Sequence, residues 1–293
     1  VDKKLEQLKK QYMDIPIPNE LDFVVKKALN QRKRRKRLLK CLAGTGAAAI
    51  VFVIGINSSP TIANAFSKVP VVANIVKVFT FREFKIEDKN YHADLKVPAV
   101  ANLENKSLEN GLNQKYLEEN KKLYADFKAQ MDSLEKNGGG HLGIDSGYQV
   151  KTNNEKILSI SRYVVNTVGS SSTTLKFDTI DKQKQILITL PSLFKDDSYI
   201  AVISNYIKEQ MIRQMKADPG KVYWVSYPGG PEVIPGMEFK SIAKNQNFYI
   251  NKDGKLVISF NKYDVAPGYM GTVEFTIPTD VISNILVSNE YIK

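Results

Sequence analysis

Residues 32–40 read Arg-Lys-Arg-Arg-Lys-Arg-Leu-Leu-Lys, seven of nine basic, and from Cys41 to Ile56 there is no charge at all. A chain holding such a pair of segments has few options. A bilayer span needs about 17–25 residues. The apolar stretch reaches that length when Leu38 and Leu39 are added and Lys40 snorkels to the headgroups. The pattern predicts one transmembrane helix over residues 38–57. Cations flanking a span are retained in the cytoplasm, so the N-terminus is expected inside and everything after about residue 57 outside. A buried globular helix of similar length leaves the seven cations unexplained.

The charge distribution supports this reading. The formal net charge is +11, which taken alone suggests nucleic acid. Residues 1–40 hold 13 Lys/Arg and 5 Asp/Glu, a net +8, which leaves +3 for the other 253 residues. The excess is a topology signal, and no basic-aromatic surface elsewhere points to direct nucleic-acid binding. The lone cysteine, Cys41, permits no intrachain disulfide, so an exported domain must hold together by its core.

The arm before the span, residues 1–37, reads as two short helices. Leu5, Leu8 and Tyr12 share one face, and Ile-Pro-Ile-Pro at 15–18 breaks the chain. Asn19 can cap a second helix, on which Leu21, Val24, Val25, Ala28 and Leu29 follow the i, i+3, i+4, i+7, i+8 pattern. Two such helices bury little against each other, so the stripe needs a partner protein or a membrane surface. Beyond the span, Ala63-Asn64-Ala65-Phe66 follows a polar stretch and Pro60. Small residues two apart in an extended segment suit signal peptidase, with cleavage between Ala65 and Phe66.

The outer region, residues 58–293, divides into 58–140 and 141–293. Residues 61–86 read as a helix and connector above the membrane. Residues 103–136 read as one long helix, closed by Asn137-Gly138-Gly139-Gly140. The period then becomes two. Strands are expected at 146–152, 156–168, 173–181 and 186–190, followed by a helix at 197–217. Phe248, Ile250, Asp253-Gly254, Leu256, Ile258 and Phe260 form a hairpin signature. Another strand is expected at 272–277 and a short helix at 278–288. The fold class is α+β, an antiparallel sheet with packed helices. Two Gly/Ser/Pro-rich loops, Gly169–Ser172 and Ala266–Gly271, are expected at strand ends. There Ser170, Ser171, Pro267, Gly268 and Tyr269 are the candidate ligand contacts.

No catalytic, cofactor or metal site is expected. The histidines are His92 and His141, each with one acid nearby (Asp94, Asp145) and no second His or Cys at ligand spacing. Asp145-Ser146-Gly147 lacks the G-x-S-x-G elbow. Pro flanks both sides of Gly229-Gly230, which is not a phosphate loop.

Asn247–Ile250, Gly254–Phe260, Tyr263-Asp264-Val265-Ala266-Pro267-Gly268-Tyr269-Met270-Gly271 and Phe275–Pro278 together resemble an exported module of RsiV-type anti-sigma factors, found also beside some peptidoglycan deacetylase domains. Ile157–Ile160, Phe177-Asp178, Leu190–Phe194 and the 197–217 helix resemble its first half, so the likeness covers roughly 145–290. The order of arm, span, A-x-A and module is similar to that family too. One departure is Gly268, standing where the module often has a second aromatic directly after Pro. The resemblance implies an extracytoplasmic-function sigma factor held by the arm and lysozyme bound outside. It further implies release by signal peptidase and an intramembrane site-2-type protease. The alternative is a membrane-tethered cell-wall or polysaccharide-binding module without a sigma partner. Deacetylase activity is not expected, since the chain ends shortly after the module.

Overall fold

The structure, a computed structural model, describes residues 76–293. The arm, the span and the Ala63–Phe66 segment lie outside the described residues. Among the described residues no helix is long and apolar enough to cross a membrane.

Six strands form one sheet in the order β1-β2-β3-β4-β5-β6. They are β1 (Lys77–Glu87), β2 (Tyr91–Ala101), β3 (Leu142–Asn153), β4 (Ile157–Val168), β5 (Ser170–Asp181) and β6 (Ile186–Ile188). A long helix, α1 (Lys106–Lys136), joins β2 to β3. Every neighbouring pair is antiparallel except β2–β3, which runs parallel. The expectation of an antiparallel sheet is therefore corrected to a mixed one. A helical crossover returns the chain in its original direction, so the two strands it joins lie parallel. Of the helix and connector expected over 61–86, residues 61–75 lie outside the described residues, and the remainder is corrected, because 77–87 is β1. Phe84 and Ile86 alternate into the core with exposed Lys85 and Glu87 between and after them. The sheet thus runs across residue 140.

α1 starts at Asn105, whose side chain accepts from Leu108 N at 3.1 Å. It ends where Gly138 and Gly139 take φ of +98° and +90°, and Gly139 N reaches Leu134 O at 2.8 Å. Its Leu112, Tyr116, Phe127 and Met131 pack on Leu95, Val97, Ile144, Leu158, Ile160 and Ile180 of the sheet. Each such burial contributes about 1.5–3 kcal/mol. Where β2 leaves β3 beyond Leu95, the buried Asn113 takes over part of the pairing. Its Oδ1 accepts from Val100 N at 2.8 Å and its Nδ2 donates to Val100 O at 2.9 Å.

A charged cluster joins α1 to β4 and β5. Arg162 and Asp178 are 7% and 6% exposed. Arg162 Nε and Nη2 donate to Asp178 Oδ2 at 3.3 and 3.1 Å, and Nη1 pairs with Glu119. The guanidinium lies 4.4 Å over the ring of Tyr116. Lys115 Nζ reaches Asp178 Oδ1 at 2.8 Å.

The second core lies between α2 (Tyr199–Ala217) and a three-stranded antiparallel sheet, β7 (Phe248–Ile250), β8 (Leu256–Phe260) and β9 (Val273–Ile277). Ile203, Ile207 and Met211, at helical spacing, meet Leu256, Ile258, Phe260, Phe275 and Ile277. The small sheet leans on the large one: Tyr249 stacks on Phe177 with centroids 5.5 Å apart, and Thr152 Oγ1 donates to Ile250 O at 2.6 Å. The chain finishes with α3 (Thr279–Ile282) and a 3₁₀ turn.

Register fixes which residues share an end of the large sheet. Lys77, Ala101, Asn153, Ile157 and Asp181 lie at one end. There Asn153 Nδ2 donates to Val76 O at 3.3 Å. Glu87, Leu142, Thr167 and the Gly169 turn lie at the other end. A strand of twelve residues separates them, roughly 40 Å at about 3.3 Å per residue.

Candidate functional site

The β4–β5 hairpin turns at Gly169, φ +73°, with Val168 paired directly to Ser170. Ser170 and Ser171 are therefore the first residues of β5, not members of a four-residue loop as the sequence suggested. The strand patterning simply continues to the turn. Ser171 Oγ accepts from Lys262 Nζ at 2.9 Å, and Lys262 N donates to Thr173 O at 3.1 Å. Asn261 and Lys262, just before the second of the two loops singled out in the sequence, thus dock on the exposed end of the hairpin.

That second segment is shaped by local bonds. Asn261 Oδ1 accepts from Leu175 N at 2.7 Å, and Asp264 Oδ2 accepts from Asn261 N at 2.8 Å. Pro267 is extended, and Gly268–Met270 makes a 3₁₀ turn. A Cβ on Gly268 would lie 2.5 Å from the Tyr263 ring. A side chain directly after Pro267 therefore requires the exposed Tyr263 ring to move aside. Tyr269, 67% exposed, donates its hydroxyl to Gly220 O at 3.2 Å.

Gly220 belongs to the long connection between α2 and β7. Residues 218–247 contain no helix or strand. Loops of this length inside a folded domain are uncommon and usually serve binding. Its two sides are pinned by Trp224 N to Val265 O at 2.9 Å, Phe239 N to Trp224 O at 2.7 Å and Ile242 N to Ser204 Oγ at 2.9 Å. Between them, the backbone bonds of 227–238 are local, Gly230 N to Tyr227 O and Met237 N to Ile234 O. This part forms a flap. Ile234 and Met237 on it are 58% and 44% exposed.

Flap and 261–271 segment enclose an open groove of about 980 Å³. Its apolar lining includes Trp224, Ile234, Met237, Phe239, Tyr263 and Pro267; Glu238, Lys240, Ser241 and Asp264 are the polar members. With exposed Tyr263 and Tyr269 at its margin, the groove offers aromatic surface of low side-chain entropy, suited to gripping another macromolecule. Of the groove, the sequence reading found Pro267, Gly268 and the adjoining Tyr269. It missed Trp224, Ile234, Met237 and Tyr263. Their signal was the chain's single Trp, and apolar residues stranded among Pro228, Gly229, Gly230, Pro231, Pro235 and Gly236 without periodicity.

Other candidates lie elsewhere. His92 Nε2 meets Asp145 Oδ1 at 3.3 Å across the parallel pair, not the Asp94 nearest in sequence. Ser146 is buried and donates to Asn120 Oδ1 of α1 at 2.7 Å. Among the described residues no three His, Cys, Asp or Glu side chains are grouped to hold a metal. Leu21, Val24, Val25, Ala28 and Leu29, and Ala63, Ala65 and Phe66, lie outside the described residues.

Comparison with known proteins adds three findings. The family described as a protein of unknown function, DUF3298, matches residues 191–280, which include the whole groove. The anti-sigma-V factor RsiV of Bacillus subtilis strain 168 is 49% identical over 294 residues, covering 100% of both chains. A solved DUF3298 member from Bacteroides fragilis superposes with a TM-score of 0.54 at 17% identity, covering 73% of this chain and 94% of that one, which shows the shared α+β fold.

Proposed function

The chain belongs to the RsiV anti-sigma-V factor family, and from that premise we propose that it is a membrane-bound anti-sigma factor responding to lysozyme. The observation that carries the reading is identity along the full length. Arm, apolar segment and outer domain are matched together, where a membrane-tethered cell-wall module needs only the last two. In this reading residues 1–37 hold an extracytoplasmic-function sigma factor in the cytoplasm. Residues 38–57 span the membrane, with the C-terminus outside. The outer domain binds lysozyme through Ser170, Ser171, Pro267, Gly268 and Tyr269. Binding exposes Ala63–Phe66 to signal peptidase, and a site-2-type intramembrane protease then cuts within the span. Gly44, Gly46 and Gly55 ease the local unwinding that such a cut requires. No cofactor enters the scheme. The protein acts by sequestration, which calls for no catalytic residue of its own.

The cytoplasmic half is tested by a pull-down with residues 1–40, which is expected to recover a sigma factor. Leu21→Asp with Val25→Asp places two carboxylates in the apolar stripe, and is expected to abolish recovery and leave the sigma reporter constitutively on. A silent reporter with the variant protein present removes the stripe from the scheme. If residues 1–40 recover no sigma factor at all, the tethered-module alternative takes its place. The outer half is tested at Tyr269. A preordered, exposed aromatic behind Pro267 is the kind of residue that dominates interfaces. Tyr269→Ala is expected to weaken lysozyme binding by about 1–3 kcal/mol, measured by titration calorimetry. Unchanged affinity in a folded variant excludes this residue as an anchor.

A further inference from the structure

We infer that the 228–238 flap is a second ligand-contacting element, one that selects for a cationic protein surface. The inference rests on the lysozyme reading above and adds to it a region which that reading leaves unused. Two observations carry it. First, the flap presents Ile234 and Met237 to solvent at 58% and 44% exposure, with local backbone bonds and no core of its own. Exposed apolar residues grouped beside an aromatic groove mark an interaction surface. Second, its charge is one-sided. From Val222 to Phe239 there are two carboxylates, Glu232 and Glu238, and no Lys or Arg, whereas residues 41–293 as a whole carry a net +3. Neither carboxylate has an ion-pair partner among the described residues. Asp264 supplies a third on the opposite wall. The cations nearby are Lys240, at the groove, Lys262, whose ammonium is tied to Ser171 and lies 5.2 Å over the Tyr263 ring, and Lys216 of α2, whose ammonium lies 5.3 Å over the Tyr227 ring at the base of the flap. The flap side is thus a local acidic margin around apolar anchors. A basic protein fits it: its cations approach Glu232, Glu238 and Asp264 while an apolar part of its surface covers Ile234 and Met237.

The two parts of such a contact separate kinetically. Rim charges act on association and its salt dependence, whereas desolvated anchors act on dissociation. The full chain in detergent or nanodiscs is therefore compared with two double variants on a surface carrying a host-type lysozyme. Glu232→Lys with Glu238→Lys is expected to slow association about tenfold at low salt and to flatten its salt dependence. Ile234→Ser with Met237→Ser is expected to speed dissociation about tenfold. Lysozyme acetylated on its lysines is expected to lose the salt-dependent component against the unaltered protein. If the unaltered protein binds and both variants bind with unchanged rates, the flap inference is overturned and the lysozyme reading stands. If the unaltered protein binds no lysozyme, both fall together. All four side chains are exposed, so their replacement leaves the cores intact.

Discussion

Replacing Arg162 by Ala is expected to lower the unfolding free energy by about 3–5 kcal/mol, the cost of removing one partner from a buried ion pair. Arg162 supplies two of the donors that compensate Asp178, and its guanidinium covers Tyr116, which is fully buried. Without it Asp178, 6% exposed, keeps Lys115 as its only ionic partner among the described residues. The loss follows from the charge left behind more than from any net gain by the pair. Arg162→Met with Asp178→Leu, which removes both buried charges at similar volume, is accordingly expected to cost much less. Urea unfolding followed by circular dichroism measures both. A single variant no less stable than the double one overturns the argument. The same cluster sets an acid limit. Burial opposes ionisation of Asp178, but the Arg162 and Lys115 charges outweigh it and hold the carboxyl below the usual carboxylate range. Its native value is depressed, so its contribution is whole above the unfolded-chain value of about 3.9 and disappears as pH falls through the lower native one.

How much of this was legible in the sequence depends on the element. α1, the β4–β5 and β7–β8 hairpins and α2 carry clean periods bounded by caps or glycines, and their positions were readable to within a few residues. β1 and β2 were not. Pro98 interrupts an otherwise alternating run, Tyr91, Ala93, Leu95, Val97 and Ala99, and argues against a central strand. The structure accommodates it beyond the last residue paired to β3, beside the irregularity between Thr80 and Arg82 of β1. Asn113, from another element, completes the pairing nearby. No local pattern announces such a tertiary substitution. The site divides in the same way. Pro267 and Tyr269 stand out as a preordered aromatic turn. Trp224, Ile234 and Met237 reach the groove only because long-range bonds at Val265 and Ser204 fold an aperiodic segment back on itself.

Replacing Ala65 by Trp is expected to abolish signal release altogether. Signal peptidase accepts small residues at the two positions flanking Asn64, and an indole has no place in such a pocket. With lysozyme added, an N-terminally tagged chain is expected to remain full length by blot, and the sigma reporter to stay off. A ligand-induced fragment of unchanged size in this variant shows that cleavage occurs elsewhere. Cleavage of the unaltered protein without lysozyme favours an ordinary signal peptide and the tethered-module alternative. In the proposed scheme the resting protein has to withhold this site. Val76, eleven residues after Ala65, is already buried in the first core, so the site lies within about 40 Å of chain from the folded sheet. Ligand can favour the exposed state only by binding it better. Moving an equilibrium from 1:99 to 99:1 takes about 5.5 kcal/mol of differential affinity.

The register of the large sheet has a mechanical consequence. The chain enters the described fold at Val76, beside Asn153, while the hairpin turn at Gly169 and the Asn261-Lys262 contact near it occupy the far end. A pull between these points runs along the strands. The ladder between β1 and β2 then carries the load in shear, with its hydrogen bonds strained together, instead of being peeled open one rung at a time. A ligand fixed to a rigid wall can drag on this domain without stripping β1 from the sheet. In the proposed scheme tension alone is therefore a poor trigger, and the signal has to come from what occupies the far end.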